Sequence, residues 1–382
     1  MSRFRMADVI KTFGRGFSQM YPCSYAGYRV MNSILACRTP ALGGTELVCE
    51  DCGHRHVQYH SCRNRHCPQC QRNASAAWCA ARERDLLPVP YFHLVFTLPH
   101  ELNGWVKLHP DVLYHGLFKS VWDVLNCFGH DPKRLNGELG MTAVLHTWGQ
   151  KLDQHVHLHC LIPAGAWSEA EHQWHKARSN YLFPVRALSR CFRGRMISYI
   201  RMAYQQGELV RIRSAKEVEE RLKELMTKDW VVYTKACHGR PERVLEYLAR
   251  YTHRIALNES RLVDVSKNTV RFRWKDYRDG KHKTMSLEGV EFLRRFMQHV
   301  LPKGFMRIRH YGFLSNKQKR HSLPLIKTVL DEQVLGHEID QGEGASGMQE
   351  LEASVYWYCS RCHSTHVQIV QVLRPLKERP MC

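Results

Sequence analysis

One ten-residue stretch, Gln154 to Pro163, constrains the fold of this chain more than any other. Its sequence is QHVHLHCLIP, in which apolar residues alternate with histidines at period two. This alternation, with a glycine shortly before and after the run, predicts a β-strand. Because successive side chains of a strand point to opposite faces, His155, His157 and His159 share one face, and the apolar residues occupy the other.

Three histidines on one strand face are either metal ligands or the solvent-facing polar stripe of an amphipathic strand. Imidazoles two residues apart lie about 6–7 Å apart along a strand, which is close enough to converge on one ion. The stretch therefore predicts a strand that carries a candidate metal site, with the polar stripe as the alternative.

The charge of the chain favours a polyanionic partner. Its 382 residues include 56 Lys+Arg against 36 Asp+Glu, a formal net charge of +20. Each phosphate that such a surface neutralises releases counterions. We find no signal peptide and no apolar run of about 18 residues that could span a membrane. With fifteen cysteines, this predicts a cytoplasmic protein without a membrane partner, whose cysteines bind metal rather than form disulfides.

Two C-x2-C pairs near the N-terminus predict a zinc module. Cys49 and Cys52 form the first pair, and Cys67 and Cys70 form the second. This spacing is typical of zinc ribbons and related fingers. Four thiolates would close a tetrahedral site with no open position for catalysis, so we expect one structural Zn²⁺ here. Further potential ligands, or simply polar surface, are Cys62, His54, His60 and His66.

The remaining patterns predict an α+β domain built on an antiparallel sheet, because adjacent strand candidates occur among helices. Predicted strands cover 90–99, 140–148, 154–163, 230–234, 261–265 and 270–274. Predicted helices cover 74–87, 106–127, 190–206, 214–227 and 241–256.

The predicted helix over 241–256 carries two tyrosines of chemical interest. Tyr247 and Tyr251 lie four residues apart, next to each other at the edge of its apolar stripe. Arg250 and Arg254 fall on the neighbouring solvent side. Phenols beside guanidiniums suit nucleophilic attack on a phosphodiester. Two half-buried core tyrosines are the alternative.

In this order the elements resemble the rolling-circle transposases of the HUH endonuclease superfamily, specifically the insertion sequence 91 family, which carries an N-terminal zinc-binding domain. The resemblance covers most of the chain. The motifs that carry it are the zinc module, VFTLPHEL at 95–102, HLH at 157–159, the Tyr-x3-Tyr pair and RHYGFLS at 309–315.

The resemblance implies an HUH endonuclease-like antiparallel sheet with flanking helices, preceded by a small zinc-binding module. His157 and His159 would hold a catalytic Mg²⁺ or Mn²⁺, with His155 as our choice of third ligand and Gln150 and His93 as rivals. Imidazole ligands depart from the oxygen preference of Mg²⁺, so Mn²⁺ is expected to serve at least as well.

The resemblance also implies the reaction. Tyr247 or Tyr251 would attack a scissile phosphate, giving a 5′-phosphotyrosine link and a free 3′-hydroxyl. Two tyrosines would allow two successive strand transfers, and the order in which they act stays open. The product would be an insertion sequence mobilised by rolling-circle-like transfer.

Basic residues are predicted to contact single-stranded DNA at the transposon ends and the target. The RFRWK run at 271–275 interleaves bases with aromatics, and 303–327 carries seven Lys/Arg and no acidic residue. Ordinary solvated faces are the alternative. The candidates are Arg63, Arg65, Arg250, Arg254, Arg271, Arg273, Arg307, Arg309, Lys317, Lys319 and Arg320.

Composition divides the chain into four parts. We predict an N-terminal helical, zinc- and DNA-binding domain at 1–88, a catalytic domain at 89–330, an acidic flexible linker at 331–353 and a small Cys/His tail at 354–382. Cys359 and Cys362 form half a zinc knuckle in the tail, which predicts either a second small zinc site or a short β-hairpin with free thiols.

Two alternatives differ from the transposase hypothesis. One is a relaxase or replication initiator of the same superfamily, which requires neither the zinc module nor the basic C-terminal arm. The other is a zinc-dependent DNA-binding regulator without catalysis, which would form no covalent protein–DNA product. The sequence makes no prediction of the oligomeric state.

Overall fold

The computed structural model of the chain describes residues 4–71, 82–178, 181–237, 256–335 and 357–376. The predicted tyrosine helix, with Tyr247, Tyr251, Arg250 and Arg254, lies outside these residues, as do most of the predicted helix at 74–87 and most of the predicted linker.

The helices are α1 (Met6–Met20), α2 (Tyr25–Ala36), α3 (Asn103–Leu108), α4 (Pro110–His130), α5 (Val185–Gln205), α6 (Ala215–Thr227), α7 (Gly289–Met297) and α8 (Lys319–Leu335). The strands are β1 (Gly44–Cys49), β2 (Arg55–Tyr59), β3 (Tyr91–Thr97), β4 (Gly140–Trp148), β5 (Gln154–Pro163), β6 (Gly165–Ser168), β7 (Gln173–Lys176), β8 (Val232–Cys237), β9 (Leu262–Val265), β10 (Thr269–Lys275), β11 (His282–Glu288), β12 (Ile308–Gly312) and β13 (Val367–Leu373).

A five-stranded sheet in the order β12-β4-β5-β3-β8 forms the centre of the molecule, and every neighbouring pair is antiparallel. The predicted α+β class is therefore confirmed. Strands β4 and β5 begin and end at the predicted residues. The predicted strand at 230–234 occurs slightly later, as β8.

The helices α4, α5 and α6 cover one face of this sheet. Phe96 on β3, Leu145 on β4 and Leu158 on β5 are fully buried in the core beneath them. Since side chains alternate along a strand, the intervening residues emerge on the opposite face. The histidines of β5 belong to that second set, as their period-two spacing predicts.

The predicted helix at 106–127 is two helices, because proline intervenes. His109 has non-helical backbone angles (φ −134°, ψ 59°) and separates α3 from α4, which begins at Pro110. A residue before proline is pushed away from helical angles, while proline itself is well suited to the first helical turn.

A second core joins the N-terminal helices to a later part of the chain. Buried side chains of α1 and α2 pack with α7 and with the three-stranded sheet β11-β10-β9. Phe13 of α1 lies so close to Gly289 that a Cβ there would approach the phenyl ring to 2.2 Å. The close packing of α1 on α7 thus requires glycine at that position.

The third sheet joins a C-terminal strand to two strands of the N-terminal module. Strand β13 pairs antiparallel with β1, which also pairs with β2. The C-terminal segment predicted as a tail is therefore a strand of the N-terminal module's sheet. No helix among the described residues is long and apolar enough to cross a membrane.

Candidate functional site

Three histidines converge on the face of the central sheet opposite α4, α5 and α6. His146 on β4 and His157 and His159 on β5 each offer one ligand atom, and these atoms all lie within 4.8 Å of one another. His146 and His159 are buried, whereas His157 is half-buried. The cluster is therefore anchored in the sheet and reached from solvent at His157.

Strand pairing explains why these three side chains meet. His146 lies directly opposite His157 in the β4–β5 ladder, and cross-strand neighbours have Cβ atoms about 4.5–5.5 Å apart. His159 follows two residues along the same face of β5. The ring centroids of His146 and His159 are 4.5 Å apart, and those of His157 and His159 are 4.8 Å apart.

A backbone contact fixes the tautomer of His157. Its Nδ1 lies 2.8 Å from the carbonyl oxygen of His155, and because a carbonyl only accepts, Nδ1 must carry the proton. In the neutral ring Nε2 then bears the lone pair that a metal ligand needs. This arrangement is the usual outer-shell support of a metal-bound histidine.

His93 on β3 supports His159 in the same way. Its Nε2 lies 2.8 Å from Nδ1 of His159, and the two rings stack with centroids 5.0 Å apart. Burial, and then the charge of Lys235, lowers the pKa of His93 to about 4, so this ring is neutral near pH 7. If Nδ1 of His159 donates to His93, Nε2 of His159 carries a lone pair.

The structure differs from our choice of third ligand. His155 is exposed, and its ring centroid lies 4.8 Å from that of His157, but its ring nitrogens do not belong to the cluster. Of the two rivals, Gln150 turns away to donate to the Tyr277 hydroxyl, and His93 lies behind His159. The third member is His146, on the strand next to β5. His146 comes opposite His157 only when the two predicted strands pair as a hairpin in this register. The pattern of one strand alone could not predict that.

Trp148 connects the histidine cluster to the second core. Its ring stacks on His146 with centroids 4.6 Å apart, and it packs at the edge of the core formed by α1, α2 and α7. The position of His146 therefore depends on the packing of the N-terminal helices as well as on its own sheet.

The four predicted zinc cysteines do not form one cluster. Cys67 and Cys70 meet Cys37 and Cys62, whereas Cys49 and Cys52 meet Cys359 and Cys362. In each group the four sulfurs lie within 4.8 Å of one another. The prediction of one four-cysteine site was wrong in its grouping, because each C-x2-C pair has its partners elsewhere in the chain.

The spacing of the sulfurs in the first cluster fits a zinc ion. Cys70 lies 3.6 Å from both Cys37 and Cys62. A disulfide would need about 2.05 Å. Zn–S bonds of about 2.3 Å place tetrahedral ligands about 3.8 Å apart, close to the separations observed. Cys37 lies directly after α2. It is not part of a C-x2-C pair, so the sequence gave no sign that it would join the cluster.

Hydrogen bonds join the zinc module to the segment that precedes β12. Arg65, between Cys62 and Cys67, donates from its guanidinium to the carbonyl oxygens of Phe305 and Pro302. This predicted DNA contact is therefore directed inward. Neighbouring Arg63 is exposed, with a left-handed φ of 51°.

Other predicted DNA-binding residues divide between surface and interior. Arg271 and Arg273 are exposed on β10, while Phe272 between them is fully buried and is not available to stack on bases. Arg307 is buried, and burial followed by the charge of Arg65 lowers its pKa to about 10. Arg309 stacks on the ring of Phe118.

The start of α8 adds a small basic surface. Lys317 and Arg320 are exposed, whereas Lys319 forms an ion pair with Asp85 at 3.0 Å. Lys319 is therefore engaged within the fold, and Lys317 and Arg320 are the side chains here that face solvent.

Comparisons with known proteins agree with this arrangement. A family model described as "Putative transposase" matches residues 140–322, and one described as "Transposase zinc-binding domain" matches residues 9–98. The first range contains the three clustered histidines, and the second contains the first cysteine cluster.

Two relatives match over most of their length. The chain is 39% identical to the "Putative transposase y4qJ" of Sinorhizobium fredii (strain NBRC 101917 / NGR234) over 387 residues, covering 99% of this chain and 97% of that protein. It is 27% identical to the "Transposase for insertion sequence element IS801" of Pseudomonas savastanoi pv. phaseolicola over 315 residues, covering 78% and 73%. No solved structure matches the chain.

The family matches and the relatives identify a DNA-processing protein with a zinc-binding domain, and the cysteine clusters agree with the latter. The chain belongs to the insertion sequence 91 family of transposases. It therefore acts on DNA, as its charge predicts.

Proposed function

We propose that this transposase cleaves and rejoins single-stranded DNA at transposon ends, using a tyrosine nucleophile and a divalent ion held by three histidines. The observation that carries the proposal is the cluster of His146, His157 and His159 on the face of the central sheet opposite α4, α5 and α6.

The donor set suits a catalytic rather than a structural ion. Three neutral imidazoles leave the double charge of a Mn²⁺ or Mg²⁺ ion uncompensated by the protein, and coordination positions remain for a phosphate oxygen and water. Among the described residues the cluster contains no carboxylate, so the site attracts an anionic phosphodiester. When bound, the ion would polarise the scissile phosphate and stabilise its developing charge.

The residues around the cluster support this chemistry. His155 and His93 hold the rings of His157 and His159 through the contacts described above, which keeps their ligand atoms directed at one point. Trp148 limits the movement of His146 by stacking on it. Preorganisation of this kind is what makes electrostatic stabilisation effective.

We assign the nucleophile to Tyr247 or Tyr251 from the Tyr-x3-Tyr motif, which lies within the matched transposase range. The phenolic oxygen attacks phosphorus, and the bond to the 3′-oxygen breaks. The phenol loses its proton and the leaving oxygen gains one, giving a 5′-phosphotyrosine link and a 3′-hydroxyl. A second tyrosine then allows transfer to a target strand before the first end is released.

Exposed basic side chains supply the DNA path. Arg63, Arg271, Arg273, Lys317 and Arg320 are all accessible, and phosphate contacts from such residues position a strand without reading its sequence.

The test is covalent capture on a denaturing gel. A single-stranded end substrate labelled 3′ of the scissile bond is incubated with the full chain, with Mn²⁺ or with EDTA. We expect a shifted band with Mn²⁺ that is absent with EDTA and absent in the Tyr247→Phe/Tyr251→Phe variant, which should still bind DNA. If tight binding persists but no band forms on any end sequence, the chain is a zinc-dependent regulator instead.

A further inference from the structure

The second cysteine cluster joins residues from opposite ends of the chain. The Sγ atoms of Cys49 and Cys362 lie 3.5 Å apart, and those of Cys52 and Cys359 lie 3.6 Å apart. The pairs are separated by 313 and 307 residues in the sequence. Both distances are far above a disulfide bond of about 2.05 Å and close to the edge of about 3.8 Å expected for a ZnS₄ tetrahedron.

We propose that Cys49, Cys52, Cys359 and Cys362 bind a second zinc ion, which fastens the C-terminal segment to the N-terminal module. The matched zinc-binding domain ends at residue 98, so it contains only half of these ligands. The family match therefore accounts for one closed site, and the geometry adds another.

The two C-x2-C turns that form this cluster have the same backbone construction. The amide of Gly53 donates to the carbonyl of Cys49 at 2.9 Å, and the amide of His363 donates to that of Cys359 at 3.0 Å. Gly53 and His363 both occupy the left-handed region, with φ of 67° and 60°. That conformation is uncommon for residues other than glycine, so its use at the same point of both turns shows that they share one backbone construction.

Further amides complete the likeness. Cys49 donates its N–H to the carbonyl of His54 at 3.0 Å, and Cys359 donates to that of Ser364 at 2.8 Å. The amide of Arg361 also points at the sulfur of Cys359 at 3.4 Å, which favours a thiolate there. Two matched knuckles with sulfurs facing each other are the arrangement of a closed zinc site.

Among the described residues, the C-terminal segment buries few side chains of its own. Within residues 357–376, Cys359 is the one buried residue. Ile369 and Val372 on β13 are exposed by 57% and 66%, so the strand buries almost no apolar surface. A pairing of one short strand on a small sheet is marginal in water without a core or a staple. A zinc ion at the knuckles would supply that staple.

Side-chain hydrogen bonds along β13 order this strand but hold it only weakly without the zinc ion. Gln368 donates to Glu50 at 2.6 Å, and Gln371 donates to Glu46 at 2.7 Å, in both cases between exposed side chains. Such surface contacts contribute little to stability. They fix the register of β13 once the segment is held.

The experiment counts thiolate-bound metal in the full chain. Apoprotein is titrated with Co²⁺, and thiolate-to-cobalt charge-transfer absorbance is followed, because the histidine cluster cannot produce that band. We expect two equivalents in the wild type and one in the Cys359→Ser/Cys362→Ser variant. Cys127→Ser/Cys191→Ser is the matched control, since both residues are exposed on α4 and α5, and it should retain two.

One further double variant tests the other half of the site. Cys49→Ser/Cys52→Ser removes the other half of the same site and should also retain one equivalent. If Cys359→Ser/Cys362→Ser still binds two equivalents, or if the wild type binds one, the proposal is overturned. A disulfide-linked clasp would be revealed by fewer than fifteen reactive thiols after denaturation in EDTA, and would equally overturn it.

The two cysteine clusters differ in solvent exposure, so the rate of zinc removal gives a second test of the proposal. Cys52 and Cys362 are exposed, whereas Cys37, Cys67 and Cys70 are buried. A chelator should therefore remove zinc in two phases, and the fast phase should vanish in Cys359→Ser/Cys362→Ser. Proteolysis should then release the C-terminal segment while the rest of the chain stays intact. None of these measurements depends on DNA cleavage, so failure of the proposed activity would leave them unaffected.

Discussion

The histidine cluster and the buried cysteine cluster are both groups of metal-ligating side chains, yet they differ in every property that determines use. Cys37, Cys62, Cys67 and Cys70 form a closed set of four within the second core. The three histidines form an open set on a sheet face. A four-thiolate site leaves no position for a substrate, whereas three imidazoles do. The difference teaches that this chain separates the metal that holds it together from the metal that would act on DNA.

The two clusters are nevertheless physically connected. The first cysteine cluster contributes to the same core as Trp148, which stacks on His146. Arg65 within the zinc module also holds the backbone at Pro302 and Phe305. Loss of the structural site should thus disturb the histidines, while loss of the histidines should leave the structural site intact. Substitutions can test this asymmetry.

The largest effect is expected from Cys67→Ser. Cys67 is 1% exposed, and its removal breaks a site of the kind whose metal-binding free energy is about 10–16 kcal/mol in zinc-finger peptides. The loss of stability should exceed the roughly 0.5–3 kcal/mol of an ordinary substitution. Thermal unfolding followed by circular dichroism checks this, with exposed Cys191→Ser as the control. An unchanged melting temperature in Cys67→Ser would show that the cluster is not structural.

The next largest effect is expected from His157→Ala/His159→Ala. Cleavage should fall by at least about 10²–10³-fold, the cost of losing one main electrostatic stabiliser of a transition state. The melting temperature and the cobalt–thiolate absorbance should stay close to those of the wild type. Single-turnover cleavage with Mn²⁺ measures the rate, and His130→Ala, exposed at the end of α4, is the control. A fall in melting temperature as large as that of Cys67→Ser would remove the distinction between the two clusters.

Smaller effects, on Mn²⁺ affinity, are expected from single substitutions of the histidines in and around the cluster. His146→Ala removes a ligand, so it should weaken Mn²⁺ binding by more than the about 10–100-fold that loss of an outer-shell partner causes. His93→Ala should fall within that range, because His93 touches His159. His155→Ala should change little, since its backbone carbonyl provides the contact to His157. Electron paramagnetic resonance of unbound Mn²⁺ gives all three affinities. If His155→Ala weakens binding strongly and His146→Ala changes little, the ion is held by the three histidines of β5.

The sequence predicts one cluster better than the other for a physical reason. The face shared by His157 and His159 follows from the period of a strand, which is local, and β5 occurs at its predicted bounds. His146 required a cross-strand register. Cys37 and Cys359 could not be placed, because they reach their partners through the packing of α2 and through pairing of chain ends.

The fold shows the same dependence on distance along the chain. The α+β class and the bounds of β4 follow from local patterning. The predicted helix at 214–227 occurs as α6, and Ser214 is its N-cap, accepting from the amide of Glu217. Pro110 could have predicted the break at His109, but the apolar stripe over 106–127 favoured one continuous helix. The second core, which joins α1 to β10 and α7, depends on long-range packing that a single sequence does not specify.

The smallest effect is expected on DNA binding, where exposed arginines can be compared with an arginine held within the fold. Arg271 and Arg273 are exposed, whereas Arg65 is engaged with backbone carbonyls of the fold. Arg271→Ala/Arg273→Ala should weaken single-stranded DNA binding and reduce the slope of log affinity against log salt by about 0.7 for each phosphate that the protein no longer neutralises. Arg65→Ala should instead lower the melting temperature and leave the slope unchanged. Fluorescence anisotropy across a salt series measures the slope. A reduced slope in Arg65→Ala alone would place the strand on the zinc module rather than along β10, because only a residue that binds phosphate alters counterion release.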